Sequence, residues 1–149
     1  MEARRAATCE PTPKRITRTI HRRDAQSGTL AAMSDLDALA RRLEQFADAR
    51  DWAQFHTPKN LAMALAGEVG ELVAEFQWLT PEQAATVMAE DAEAAARIRA
   101  ELGDVTNYLV RLADVLGVDL IQAANAKIDA NEKRYPADTY RGSIRKAPS

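Results

Sequence analysis

The feature that most constrains this 149-residue chain is the segment 58–78, PKNLAMALAGEVGELVAEFQW, in which acids interrupt an apolar helical pattern. Glu68 and Glu71 are three residues apart, so a helix places both carboxylates on one face. Glu101 and Asp104 repeat this spacing in a second apolar segment. Half-buried carboxylates at close range repel each other, and a divalent cation commonly stabilises them. The two motifs therefore predict a metal site carried by helices.

The ligands of such a metal must be oxygen atoms. The only cysteine is Cys9, and the two histidines are His21 and His56, so neither a thiolate site nor a histidine-rich zinc site can form within the chain. Mg²⁺ is the cation that best suits an oxygen ligand set, and Mn²⁺ is the alternative.

Charge divides the chain into segments. Residues 1–33 contain seven Lys or Arg against three acids, whereas the remainder contains thirteen against nineteen. Because the segment 1–33 has few large apolar residues and no periodicity, we expect a disordered basic tail. A helical domain is predicted over residues 34–137, followed by a flexible tail over 138–149.

The basic tail has two functional alternatives, which are nucleic-acid binding and transport like that of a transit peptide. Met33 followed by Ser-Asp-Leu has the character of a natural start, and this favours a leader without a role in the fold. No nucleic-acid partner is therefore expected. The chain also has no apolar run of the length that a signal peptide or a membrane span requires, which makes the cytoplasm the default location.

The hydrophobic spacing predicts an all-α fold, a four-helix-type bundle with one extra short helix. No segment alternates as a half-buried strand does. The last helix is expected to face inward through Leu120, Ile121, Ala124 and Ile128. The helices are predicted to cover approximately residues 35–50, 58–79, 81–89, 92–116 and 120–135. The predicted N-caps are Ser34, Thr57, Thr80, Asp91 or a neighbour, and Asp119, with a capping box from Thr80 to Gln83 and Gly117 as a stop.

Four motifs resemble those of the MazG-like nucleotide pyrophosphohydrolases, and among them the dCTP pyrophosphatase branch. They are RDWAQFHTPKNL at 50–61, EVGEL followed by FQW at 68–78, ELGDV at 101–105 and KIDANEKRYP at 127–136. The resemblance extends over about residues 36–136. It implies Mg²⁺-dependent cleavage of a nucleoside triphosphate, dCTP or a modified dCTP, to the monophosphate and pyrophosphate, as part of nucleotide-pool housekeeping. It also implies a homo-oligomer, with a tetramer favoured over a dimer, whose pockets are shared between subunits.

The resemblance assigns roles to individual residues. The metal ligands and catalytic acids would be Glu68, Glu71, Glu101 and Asp104, and either Glu71 or Glu75 would orient the attacking water. The substrate would contact Lys59, Lys127 and Arg134 through its phosphates, Trp52, His56 and Trp78 through stacking on the base, Asn131 through the base edge, and Tyr108 through sugar or phosphate. Vertebrate dCTP pyrophosphatases have a base-contacting histidine in the first helix, where this chain has Leu43-Glu44-Gln45, so strict cytosine preference stays open.

Two other functional classes are compatible with a helical chain that carries acids. A carboxylate-bridged redox di-metal bundle requires Glu-x-x-His pairs, and neither acidic motif has a histidine at that offset. A non-catalytic helical interaction module would leave the four acids unexplained. Gly67 and Gly70 weaken their helix by about 1 kcal/mol each relative to alanine, which is understandable if a second backbone or a ligand approaches there.

Overall fold

The computed structural model describes residues 35–147, and the regular secondary structure of this region is entirely helical. The all-α prediction is therefore confirmed, whereas the predicted tail 1–33 and the cap at Ser34 lie outside the described residues. None of the helices described is long and apolar enough to cross a membrane. The helices are α1 (Asp35–Asp48), α2 (Pro58–Phe76), α3 (Pro81–Glu90), α4 (Ala92–Leu116), α5 (Leu120–Arg134) and α6 (Ala137–Tyr140).

Side-chain caps fix most helix starts where the sequence predicted them. Thr57 accepts from the backbone N–H of Asn60, and Thr80 and Gln83 form a reciprocal capping box. Asp91 and Asp119 cap α4 and α5 in the same way, and Gly117 ends α4 with a left-handed φ of 69°. Each cap satisfies backbone groups that a helix end leaves unpaired.

Two boundaries differ from the prediction. Helix α2 ends at Phe76 rather than near Leu79, because the last residues leave the helical hydrogen-bond pattern: Leu79 donates its backbone N–H to Phe76, three residues back, in a turn. The short helix α6 was not predicted and falls partly within the segment expected to be flexible. The rings of Tyr135 and Tyr140 pack edge to face across it, with centroids 5.2 Å apart.

Helix α4 is the central element, and α1, α2 and α3 all pack against it. The α3–α4 contact buries Val87, Ala94 and Ile98, with Leu72 and Leu79 packed against them. Burying such side chains contributes about 1.5–3 kcal/mol each for the larger ones. The α2–α4 contact is the most extensive, and it brings the two acidic motifs together.

Helix α5 departs from the expected bundle. No residue of α5 is buried, and Ile121 and Ile128 are each 54% exposed, so the prediction that its apolar side chains face inward is wrong for the single chain. The physical reason is that no other helix in the described part of the chain packs extensively against α5. An apolar row on α2, formed by Val69, Val73 and Phe76, is also exposed.

Candidate metal centre and adjoining cavity

Three acids from two helices converge between α2 and α4. Glu68 and Glu71 come from α2 and Glu101 from α4, and each offers a carboxylate oxygen such that the three oxygens all lie within 4.8 Å of one another. The three-residue spacing on α2 places its two acids on one face, and the packing of α4 brings Glu101 opposite them. Asp104 follows Glu101 on α4, one turn further along.

The electrostatics of this cluster fit a bound cation. Partial burial, followed by the charges of Glu71, Asp104 and Glu101, raises the pKa of Glu68. Burial and the charges of Glu71, Asp104 and Glu75 likewise raise the pKa of Glu101. In addition, Oε2 of Glu101 is buried and has no hydrogen-bond partner. An unpaired acceptor among repelling carboxylates is what a hard divalent cation stabilises, so the residues present fit Mg²⁺ or Mn²⁺.

Glu75 lies one turn beyond Glu71, and Arg97 of α4 holds it. The Nε atom of Arg97 donates to both carboxylate oxygens of Glu75, each at 3.0 Å. The side chain of Glu75 is only 20% exposed. With both oxygens engaged, Glu75 is less available to orient a water molecule than Glu71.

A cavity of about 410 Å³ adjoins the acidic cluster. Asp104 lines this cavity, and its charge raises the pKa of Glu68 and Glu101, although its carboxylate is not among the three that converge within 4.8 Å. A volume in this range accommodates small-molecule ligands. The lining residues come from α1, the α1–α2 connection, the first turn of α2, and α4: Leu39, Arg42, Leu43, Phe46, Trp52, His56, Leu61, Asp104, Asn107, Tyr108 and Arg111.

The connection between α1 and α2 shapes one wall of this cavity. Asp51 adopts a positive φ of 54°, uncommon for a residue other than glycine, and Trp52 donates its backbone N–H back to Ala47. The Trp52 ring then packs edge to face on Phe46 with centroids 5.8 Å apart, and the guanidinium of Arg50 lies 3.6 Å from the centre of the Phe46 ring. These contacts hold an aromatic face beside the pocket.

The structure gathers some of the predicted substrate residues and leaves others apart. Trp52, His56 and Tyr108 line the cavity together with Asp104. Trp78 follows α2 and is 84% exposed, and Arg134 donates to the backbone carbonyl of Ala147. The predicted contacts outside the cavity lining are Lys59, Trp78, Lys127, Asn131 and Arg134, and their roles stay predictions.

Sequence reasoning missed three polar residues of the cavity, Arg42, Asn107 and Arg111. Arg111 is the buried charged residue of the described chain, with 6% exposure. A signal was present, because Asp104, Tyr108 and Arg111 have the i, i+4, i+7 spacing of one helix face. The apolar residues of α1 were assigned to the core, although Leu43 and Phe46 also line the cavity.

The two glycines of α2 do not face a neighbouring group within the described chain. A Cβ added at Gly67 or Gly70 would meet no atom within 4 Å. The space beside both glycines is therefore open, and the approach of a second backbone or a ligand at this place stays a prediction.

Comparisons with known proteins point to one group. The MazG-like family profile matches residues 64–146. The dCTP pyrophosphatase 1 of Bos taurus is 46% identical over 108 residues, which cover 72% of this chain and 63% of that protein. Its Homo sapiens counterpart is 47% identical over 111 residues, covering 74% and 65%. The chain thus spans less than two thirds of these relatives. The crystal structure of a pyrophosphatase from Archaeoglobus fulgidus superposes with a TM-score of 0.65 and 33% identity, covering 73% of this chain and 99% of that one.

Proposed function

Because the chain belongs to the MazG-like family, we propose that it is a Mg²⁺-dependent pyrophosphohydrolase that converts a nucleoside triphosphate to the monophosphate and pyrophosphate. The observation that carries the proposal is the convergence of Glu68, Glu71 and Glu101 beside a cavity that shares Asp104 with them. The names of the mammalian relatives support dCTP, or a modified dCTP, as the first substrate to test. Nucleotide-pool housekeeping in the cytoplasm is the corresponding cellular role.

The acids of the site account for the need for a metal. A triphosphate carries about four negative charges, and bare carboxylates would repel it. Mg²⁺ held by Glu68, Glu71 and Glu101 would supply the positive charge that neutralises the phosphate oxygens and activates water. Asp104, which lines the cavity, would complete the ligand set. Arg97 occupies both carboxylate oxygens of Glu75, and no arginine is bonded to Glu71 among the described contacts. Glu71 is therefore the better candidate for orienting the attacking water.

The cavity would hold the base and sugar. Its apolar wall, formed by Leu43, Phe46 and Trp52, can bury one face of a base, and Trp52 can stack on it. Tyr108 lies on α4 one turn beyond Asp104 and can donate to the sugar or a phosphate. Leu43 offers no hydrogen bond, so polar recognition of the base must come from other residues of the lining.

The exposed apolar surfaces support a homo-oligomer, and the resemblance to the family favours a tetramer over a dimer. Val73 on α2 is 58% exposed, and Ile121 and Ile128 on α5 are each 54% exposed. Contiguous apolar rows of this kind mark protein–protein contacts, and a second copy of the chain is the occupant we propose. In that assembly, Lys127 and Asn131 on the exposed helix α5 could contribute to a neighbouring pocket. Light scattering at micromolar concentration tests this, and a monomer would contradict it.

The activity is tested with purified protein and a panel of deoxynucleoside triphosphates, with product separation. We expect the monophosphate and pyrophosphate in equal amounts with Mg²⁺, and no turnover in excess chelator. Glu101→Gln should abolish turnover, whereas Glu82→Gln, an exposed acid on α3, should not change it. Release of inorganic phosphate with a diphosphate product, or activity that persists in chelator, would contradict the proposal.

A further inference from the structure

Arg111 is buried in the wall of the cavity and links two side chains. Its Nε–H donates to Nδ1 of His56 at 3.3 Å, and Nη1 donates to a carboxylate oxygen of Asp114. The side chain of Arg111 is 8% exposed and that of Asp114 is 33% exposed. The carboxylate therefore compensates the buried guanidinium, and the Nε–H remains directed to the imidazole.

This geometry determines where the imidazole carries its proton. An arginine side chain has only donors, so Nδ1 of His56 must be the unprotonated acceptor. In a neutral imidazole the proton is then on Nε2. Burial, and secondly the charge of Arg111, lowers the pKa of His56, which favours the neutral ring.

The fixed tautomer of His56 matters for ligand discrimination because of the other residues that line the cavity. Five of the lining residues, Leu39, Leu43, Phe46, Trp52 and Leu61, present apolar surface. Asn107 and Tyr108 each offer both a donor and an acceptor and do not by themselves discriminate, whereas Arg42 offers donors on a long, rotatable side chain. A histidine of fixed tautomer offers only a donor through Nε2. That group distinguishes ligands that present an acceptor from those that present a donor at the same place.

We propose that Arg111 is a positioning residue that holds His56 as the Nε2–H tautomer, so that the cavity presents a fixed N–H donor to an acceptor atom on the nucleobase edge. The assignment of the ligand as a nucleobase rests on the proposed function, whereas the tautomer does not. An acceptor is either a carbonyl oxygen or an unprotonated ring nitrogen. Cytosine offers both of these on adjacent atoms, so its triphosphate is the probe.

The tautomer is measured by long-range ¹H–¹⁵N NMR of the full chain. The sequence has two histidines, so His21→Gln leaves His56 as the sole source of imidazole signals. We expect an unprotonated Nδ1 and a protonated Nε2 at neutral pH without ligand. Arg111→Met should replace this pattern with exchange-averaged signals. An Nδ1–H tautomer in the parent protein, or an unchanged pattern in Arg111→Met, would overturn the inference.

Conservative variants separate the hydrogen bond from charge and folding. Arg111→Lys keeps the charge but lacks the planar donor fork, so it should resemble Arg111→Met. Arg111→Lys therefore tests the proposal if Arg111→Met does not fold, whereas Asp114→Asn keeps the Nε–H donor and should keep the tautomer. Arg99→Met, on the exposed side of the same helix, is the matched control and should leave both the spectrum and the kinetics unchanged.

Kinetics complete the test. Arg111→Met should raise KM for dCTP about tenfold, as expected for loss of one well-placed hydrogen bond, and change kcat by less than about threefold. A lost tautomer with unchanged KM would overturn the role in base recognition. If the parent protein shows the expected tautomer but does not hydrolyse dCTP, the proposed function fails while the link from Arg111 to His56 stands.

Discussion

Replacing Glu68 by glutamine should change stability in opposite directions with and without metal. The substitution keeps the shape of the side chain but removes a charge from the cluster of Glu68, Glu71 and Glu101. Without metal it relieves repulsion, because these neighbours and burial already raise the pKa of Glu68. With metal it removes a ligand charge. The variant should therefore melt above the parent protein in chelator and below it in Mg²⁺.

The magnitude follows from the geometry. Two unit charges about 5 Å apart repel by about 0.8 kcal/mol in water and about 3 kcal/mol at an effective dielectric constant near 20. Since Glu71 is exposed, the lower figure applies, and Glu68→Gln should gain about 1 kcal/mol in chelator. For a domain of this size that is about 4 °C in Tm. A metal at about one hundred times its Kd stabilises the parent protein by about 2.7 kcal/mol, enough to reverse the order.

The assay is thermal melting of both proteins at equal concentration in chelator and in Mg²⁺, beside their rates on dCTP. The rate of Glu68→Gln should fall at least about a hundredfold, as when a main electrostatic stabiliser of the transition state is lost. The control is Glu82→Gln. The carboxylate of Glu82 accepts hydrogen bonds from its own backbone N–H and from the side chain of Thr80, and these bonds lower the pKa of Glu82. That variant should melt slightly earlier in both buffers. A Glu68→Gln protein that melts earlier in chelator and keeps near-normal turnover would refute the metal assignment.

Three further predictions concern regions away from the acids. A protein that begins at Met33 should fold and hydrolyse substrate normally, because residues 1–32 lack a burial pattern; a large loss of activity would show that they contribute. Gly117→Ala should lower the free energy of unfolding by about 1 kcal/mol, measured by denaturant titration, because φ there is 69°, and an unchanged midpoint would contradict the cap. On acidification from pH 7.5 to 5.5, the parent protein should lose more stability than His56→Gln. Burial and the charge of Arg111 lower the pKa of His56 in the folded chain. The unfolded chain therefore takes up a proton near pH 6.5 that the folded chain does not bind, and this destabilises the folded state. Parallel pH profiles of Tm would count against that environment for His56.

The helices were predictable because their signals are local. Thr57, Thr80, Asp91 and Asp119 each cap the helix that the hydrophobic spacing placed after them. The acidic spacing on α2 and α4 likewise identified the faces that meet, because i and i+3 lie together on any helix. The helix caps and the acidic faces were predictable because each depends on only a few residues that are close in the sequence.

The cavity was less predictable because its residues meet only after the helices pack. Arg111 shares a helix face with Asp104 and Tyr108, but its partner His56 is 55 residues away in the sequence, so the spacing alone does not show what it binds. The prediction for helix α5 was wrong for the opposite reason: Ile121 and Ile128 have the spacing of a buried face, yet within residues 35–147 no helix packs extensively against them. Periodicity reports that a face is apolar but not which molecule it packs against.

The most direct test of the metal centre is anomalous diffraction from crystals grown with Mn²⁺ and a non-hydrolysable dCTP analogue. The account predicts a manganese peak bounded by the carboxylates of Glu68, Glu71 and Glu101, with the analogue's base in the cavity beside Trp52 and His56. A manganese peak at some other group of residues, or analogue bound with no manganese at these carboxylates, would contradict it.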